Sequence, residues 1–242
     1  MKIVFIFLLL INVAFLSYPQ ADASLVRTEE NLLRISEKSG TVFTTNMDEL
    51  YEGVKGTPYL YDQWKPGNVY LTDNTLIKNV YIKFNIYSDD LLYLNSTSGD
   101  SLIINQSLIQ KFEIFDELSR DSVLMEEMRL KPGKSEKKTF VRVIYGGKSK
   151  FTVKYIKTFI RAHYKGAYAA GNKYDEYTDD YQYYIMNNEN KLTKLKLNKK
   201  SVIKILSDKE DKIKAFVNKK KLTLDNENDV VQVLEYYDSL AD

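Results

Sequence analysis

The sequence predicts an α+β protein, a mainly antiparallel β-domain of about eight to ten strands followed by a small three-helix appendage. Three observations lead there. Val80, Ile82, Phe84 and Ile86 alternate with Tyr81, Lys83, Asn85 and Tyr87, the period of two expected of a strand with one buried face. Turn formers recur at short spacing (Pro66-Gly67, Asp73-Asn74, Ser88-Asp89-Asp90, Ser98-Gly99-Asp100), as a meander requires. After Leu197 the apolar period becomes helical, through Val202, Ile203, Ile205 and Leu206, then Ile213, Phe216 and Val217, then Val230, Val231, Val233, Leu234, Tyr237 and Leu240.

The chain opens on Met1-Lys2 and runs apolar from Ile3 to Leu16, broken only by Asn12, before Pro19 and Ala21-Asp22-Ala23. A cation, a short apolar run and a small-x-small exit are the parts of a secretory signal peptide, expected to span residues 1–23 and leave Ser24 as the mature N-terminus. A spanning helix needs roughly 20 apolar residues, and this run is shorter. The expected location is therefore periplasmic or extracellular, with no transmembrane segment in the mature form. Cysteine is absent. A chain of 242 residues can bury a sizeable core without disulfide staples, and a cysteine-free exported chain suits a bacterial source better than a eukaryotic one. In that setting Asn95-Ser96-Thr97 and Asn105-Gln106-Ser107 read as ordinary turn or strand residues rather than glycosylation sites.

Residues 24–55 are mixed, with short helices expected near Glu29–Ile35 and Met47–Tyr51. The β-domain, expected over residues 24–197, takes strands at Val69–Thr72, Val80–Tyr87, Leu91–Asn95, Ser101–Asn105 and Lys111–Phe115. Residues 116–138 carry no clear pattern. Phe140–Tyr145 and Lys148–Ile156 flank Gly146-Gly147, two residues that tolerate positive φ and suit a two-residue hairpin. Lys165–Asp180 is polar and reads as a loop, and Gln182–Met186 and Lys191–Leu197 form a further hairpin. In the helical tail, residues 198–242, Asn198, Asp208 and Asp225 or Asn226 are placed to cap the three helices, which should pack on the preceding hairpin.

Gly56-Thr57-Pro58-Tyr59-Leu60, Gly67 before an alternating strand, Phe84-Asn85-Ile86-Tyr87 with Asp89-Asp90, Tyr183-Tyr184-Ile185, Lys199–Leu206, Ala215–Lys221 and Val233–Leu240 together resemble a group of exported bacterial proteins with a β-rich front and a short helical tail. The resemblance covers about Tyr51 to Leu240. It implies export and architecture and carries no activity and no site residue.

The chemistry-bearing residues are sparse. His163, in Arg161-Ala-His-Tyr-Lys165, is the only histidine, with no cysteine and no Gly-x-Ser-x-Gly elbow beside it, so no catalytic residue is assigned. One histidine and no thiol also leave no expected zinc site, no cofactor site and no metal ligand set. Asp175-Glu176-Tyr177-Thr178-Asp179-Asp180 is the densest acidic stretch but lacks the spacing of a calcium loop, and a solvated loop explains it. Net charge is +2, too small to imply a polyanionic partner for the whole molecule. Locally, lysines crowd Lys191–Lys221 against Asp208, Glu210 and Asp211. Without an arginine cluster or interleaved aromatics, a nucleic-acid partner is not expected.

The leading expectation is a non-enzymatic extracytoplasmic binding or structural module, meeting a protein or glycan of the cell envelope through a sheet edge or the Tyr-rich stretch Lys173–Tyr184. Two alternatives stand beside it. One is a carboxylate-dependent hydrolase with an envelope or extracellular substrate. The other is an envelope-associated protein that docks through its Lys-rich tail.

Overall fold

Alternating strands, each with one apolar face, satisfy their backbone groups by pairing edge to edge. The computed structural model describes residues 54–95, 99–116, 121–130, 138–162 and 174–240. The expected leader, the helices near Glu29–Ile35 and Met47–Tyr51, and His163 lie outside the described residues. Among those described, ten strands follow in chain order: β1 (Lys65–Leu71), β2 (Leu76–Asn85), β3 (Asp90–Leu94), β4 (Ser101–Ile104), β5 (Ile109–Phe115), β6 (Ser122–Arg129), β7 (Lys138–Gly146), β8 (Lys150–Ile160), β9 (Glu176–Met186) and β10 (Leu192–Leu195). All neighbours pair antiparallel, in the order β10-β9-β8-β7-β6-β5-β1-β2-β3-β4. Three helices end the chain, α1 (Lys199–Ile205), α2 (Glu210–Lys220) and α3 (Glu227–Ser239), so the α+β class is the one observed.

The sheet is rolled. β2 and β7 are four strand positions apart, which would separate them by about 19 Å in a flat sheet. Yet Phe84 of β2 and Phe140 of β7 meet with ring centroids 5.9 Å apart, and Phe112 of β5 lies 5.2 Å from Phe84 and 5.0 Å from Phe140. The β2–β3 corner reaches the same side: Asp89 Oδ1 accepts the Phe140 N–H at 3.4 Å, and Tyr87 meets Tyr177 of β9 at 5.4 Å. One core fills the roll, with Val69, Ile82, Phe84, Leu91, Phe112, Ile114, Met125 and Phe140 all buried. The second core lies on the same inner face, where Phe151, Ile185 and Leu195 pack under Val202, Ile213, Val217, Val230, Val233, Leu234 and Tyr237 of the helices. In α3 the buried positions Val230, Val233, Leu234 and Tyr237 form one helical stripe.

Several local expectations are corrected. Pro66-Gly67 is not a turn but the start of β1: a Cβ on Gly67 would collide with the Glu113 carbonyl and the Ile82 side chain, so glycine lets β1 lie against both neighbours at a bulge. β6 runs through the stretch without a pattern; Leu124, Glu126 and Met128 do not read as a polar face, and pairing with β5 and β7 decides the strand. Of the polar loop expected over Lys165–Asp180, residues 165–173 lie outside the described residues, and Glu176–Asp180 is the first half of β9.

The β7–β8 hairpin closes over Gly147-Lys148-Ser149, and neither Gly146 nor Gly147 has positive φ. Gly147 is required for another reason, since a Cβ there would overlap the Asp238 carboxylate and the Tyr145 hydroxyl. The helices also cover more than the preceding hairpin, reaching back to Ile144, Tyr145 and Phe151 of β7 and β8. Asn198 and Asn226 cap α1 and α3 as expected, by accepting the N–H groups of Ser201 and Asp229 at 2.9 Å each. Asp208 caps nothing. It sits in a short 3₁₀ turn and accepts the Tyr237 hydroxyl at 2.9 Å.

Candidate functional site

Residues opposite one another on antiparallel strands share a face. The inner face of β8 carries Phe151, Val153, Tyr155, Lys157 and Phe159, and these stand opposite Ile185, Tyr183, Tyr181, Asp179 and Tyr177 of β9. Along this pair the character changes. Phe151 and Ile185 belong to the core under the helices, whereas Phe159 and Tyr177, with rings 5.0 Å apart, meet the β2–β3 corner. Between them the face is polar: Lys157 Nζ pairs with Asp179 at 2.6 Å, and Tyr155 lies edge-on to Tyr181 at 5.7 Å. A polar seam thus separates the two cores.

Arg142 anchors the seam. It lies on the inner face of β7 opposite Val153, and its Nη1 donates to the Tyr155 hydroxyl at 3.2 Å and to Glu227 Oε2 at 3.4 Å. Glu227 stands in the first turn of α3, where the helix dipole favours a carboxylate, and its Oε1 accepts the Tyr183 hydroxyl at 3.1 Å. Thus β7, β8, β9 and α3 are tied through a single carboxylate and a single guanidinium. A cavity of about 660 Å³ opens onto the guanidinium, lined by Tyr61, Asp116, Asp121, Ser122, Val123, Arg142 and Tyr155. Lys65 of β1 pairs with Asp116 at 3.1 Å and lies 5.6 Å from the Tyr61 ring centre. The Asp116 N–H donates to the Asp121 carbonyl at 2.9 Å, which holds the two acids together where β5 ends and β6 begins.

Burial works against the charge of Arg142, but Tyr155, Glu227 and Tyr61 outweigh it and hold the guanidinium's pKa above its ordinary value. Burial raises the Tyr155 phenol and Arg142 opposes that rise. The Tyr61 phenol is raised by burial and then by Asp116, with Arg142 acting in the opposite sense. Tyr183 is pushed up to about 12, first by burial and then by Glu227. These phenols stay neutral donors across the physiological range.

The arrangement suits binding. Ring faces and edges offer apolar contact, hydroxyls and the guanidinium offer directed hydrogen bonds, and two carboxylates accept. A larger groove of about 780 Å³ runs past Met128, Leu130, Met186 and Leu192, but there Lys150 is paired with Glu126 and no aromatic ring faces it.

The acidic stretch Asp175–Asp180 does not converge. As part of β9 its side chains alternate between faces: Glu176 pairs with Lys55 at 2.8 Å, Asp179 with Lys157, and Asp175 Oδ1 accepts the Ala162 N–H at 2.7 Å. Among the described residues no three His, Cys, Asp or Glu side chains gather as a cation would need. Of the Tyr-rich stretch Lys173–Tyr184, Tyr181 and Tyr183 reach the seam, while Tyr174 stands exposed. Sequence reasoning missed Arg142 and Glu227. The signal for Arg142 was present, an arginine at an inward strand position between Phe140 and Ile144. Nothing local marked Glu227 among the acids of the tail.

Among the described residues no helix is long and apolar enough to cross a membrane. Comparison with protein-family models, curated proteins and solved structures returned no match, so the fold and the seam are the ground on which function rests.

Proposed function

We propose that the protein is exported and acts outside the cytoplasm as a binding module, whose seam cleft takes a segment of an uncharged glycan. The observation that carries this reading is the cleft's balance of charge beside aromatic rings. In the lining Arg142 is set against Asp116 and Asp121, and the nearby cations are already paired, Arg142 with Glu227 and Lys65 with Asp116, so no surplus of positive charge attracts an anion. Tyr61 and Tyr155 supply the apolar contact that sugar C–H faces seek, and the charged groups satisfy hydroxyls through strong hydrogen bonds. The leader from Met1 to Ala23 supports export.

The test is calorimetric titration of the protein with a panel of neutral oligosaccharides. Binding should fall about tenfold or more in Tyr155→Ala and in Arg142→Gln, since each removes a central contact. A panel on which neither substitution alters binding refutes the reading. Mass spectrometry of the protein from its native host should find Ser24 at the N-terminus; an intact Met1 in the cytosol would overturn export.

A second reading, a carboxylate-dependent hydrolase, is favoured by one observation: Asp116 and Asp121 line a concave cavity together. Turnover of a neutral oligosaccharide, abolished by Asp116→Asn or Asp121→Asn with binding retained, would select it over simple binding.

A further inference from the structure

Six cations in and beside the sheet pair with carboxylates. Lys55, Lys65, Lys138, Arg142, Lys150 and Lys157 pair with Glu176, Asp116, Glu127, Glu227, Glu126 and Asp179. From Lys191 onward the pattern reverses. Among the described residues, only Lys214 of the lysines between Lys191 and Lys221 forms an ion pair, with Glu210 one helical turn away. All the others except Lys209 are exposed. Of the acids in this stretch, Glu210 pairs with Lys214 and Asp208 accepts the Tyr237 hydroxyl at 2.9 Å.

These lysines are not spread evenly. Lys191 and Lys194, on the edge strand β10 and its approach, and Lys204 of α1 converge on a basin of about 630 Å³. Its walls include Asn187, Thr193 and Ser201, and two carboxylates, Glu189 and Asp208, also line it. Such a basin presents ammonium groups for oxyanions and small polar groups for neighbouring hydroxyls. A membrane is the less suitable partner, because the exposed large hydrophobic residues are Leu76, Tyr81, Tyr87, Tyr174 and Tyr181, and none belongs to this region.

We infer that the basin between β10 and α1 is a binding site for an acidic polysaccharide, with Lys191, Lys194 and Lys204 holding its carboxylate or ester oxyanions. The site is separate from the seam cleft and takes an acidic segment where the cleft takes a neutral one. A protein with both would grip a neutral and an acidic stretch of the same surface coat.

Fluorescence anisotropy of the protein with labelled oligogalacturonate tests the site. Binding is expected at low salt, weakening about tenfold or more between about 20 and 200 mM salt as the charges are screened. The combined variant Lys191→Gln, Lys194→Gln and Lys204→Gln should lose about tenfold or more, and Lys204→Gln alone about threefold. The matched variant Lys212→Gln, Lys219→Gln and Lys220→Gln, with the same loss of charge, should change binding less than threefold. A neutral oligosaccharide that binds the seam cleft should not compete with the labelled oligogalacturonate, which separates this site from the cleft. No binding to oligogalacturonate, an equal loss in the two triple variants, or binding only to equimolar phosphatidylglycerol–phosphatidylcholine vesicles would each overturn the inference.

Discussion

Replacing Asp238 by alanine tests how the helices are fastened to the sheet. Asp238 stands at the end of α3, and its carboxylate accepts the Tyr145 hydroxyl at 2.9 Å and the Ser149 N–H at 3.0 and 3.1 Å to its two oxygens. Ser149 is fully buried, so its N–H has no ready substitute acceptor, whereas the Tyr145 hydroxyl can recruit water. A hydrogen bond to a charged group contributes about 1.5–3 kcal/mol, and the second is discounted for its exposure, which gives a loss of about 2–4 kcal/mol for Asp238→Ala. With a urea dependence of about 2 kcal/mol per molar, the unfolding midpoint falls by about 1–2 M. Asp238→Asn keeps one carbonyl acceptor and should lose only about 1 kcal/mol. A double-mutant cycle with Tyr145→Phe should return a coupling of about 1 kcal/mol or more. An Asp238→Ala midpoint within about 0.2 M of the parent would refute this account of the docking.

Gly147→Ala should cost about 1–3 kcal/mol by urea unfolding, because its Cβ must displace the Asp238 carboxylate or the Tyr145 hydroxyl. Phe112→Ala should cost about 3–5 kcal/mol in the same assay, since it empties the contact between Phe84 and Phe140 at the centre of the roll. Stability should also fall in alkali. Tyr145 is pushed up to about 12 by burial and then Asp238, Tyr183 to about 12 by burial and then Glu227, and Tyr237 is raised by burial and then Asp208. A phenol whose folded pKa lies above its unfolded value of 10.0 contributes stability that is complete below pH 10 and lost as pH climbs towards about 12. Urea midpoints across that window should decline in the parent and decline less in Tyr145→Phe and Tyr183→Phe; parallel profiles would exclude the phenols as the cause.

What the sequence determined by itself is the local grammar. Alternation through Val80, Ile82 and Phe84 names one apolar face of β2, and spacing through Val230, Val233, Leu234 and Tyr237 names one apolar face of α3, because side-chain direction repeats with the backbone period and needs no partner. The asparagine caps of α1 and α3 were readable for the same reason, since a cap acts within three residues. Only the tertiary structure decided which faces meet. β6 became a strand through its neighbours, Gly147 earned its place from a helix far along the chain, and the acids of β9 were parted by the pleat. Arg142 and Glu227 are 85 positions apart, and nothing in either segment encodes their meeting. It follows from the rolling of the sheet and the seating of α3, which depend on the summed burial of two cores rather than on any short motif.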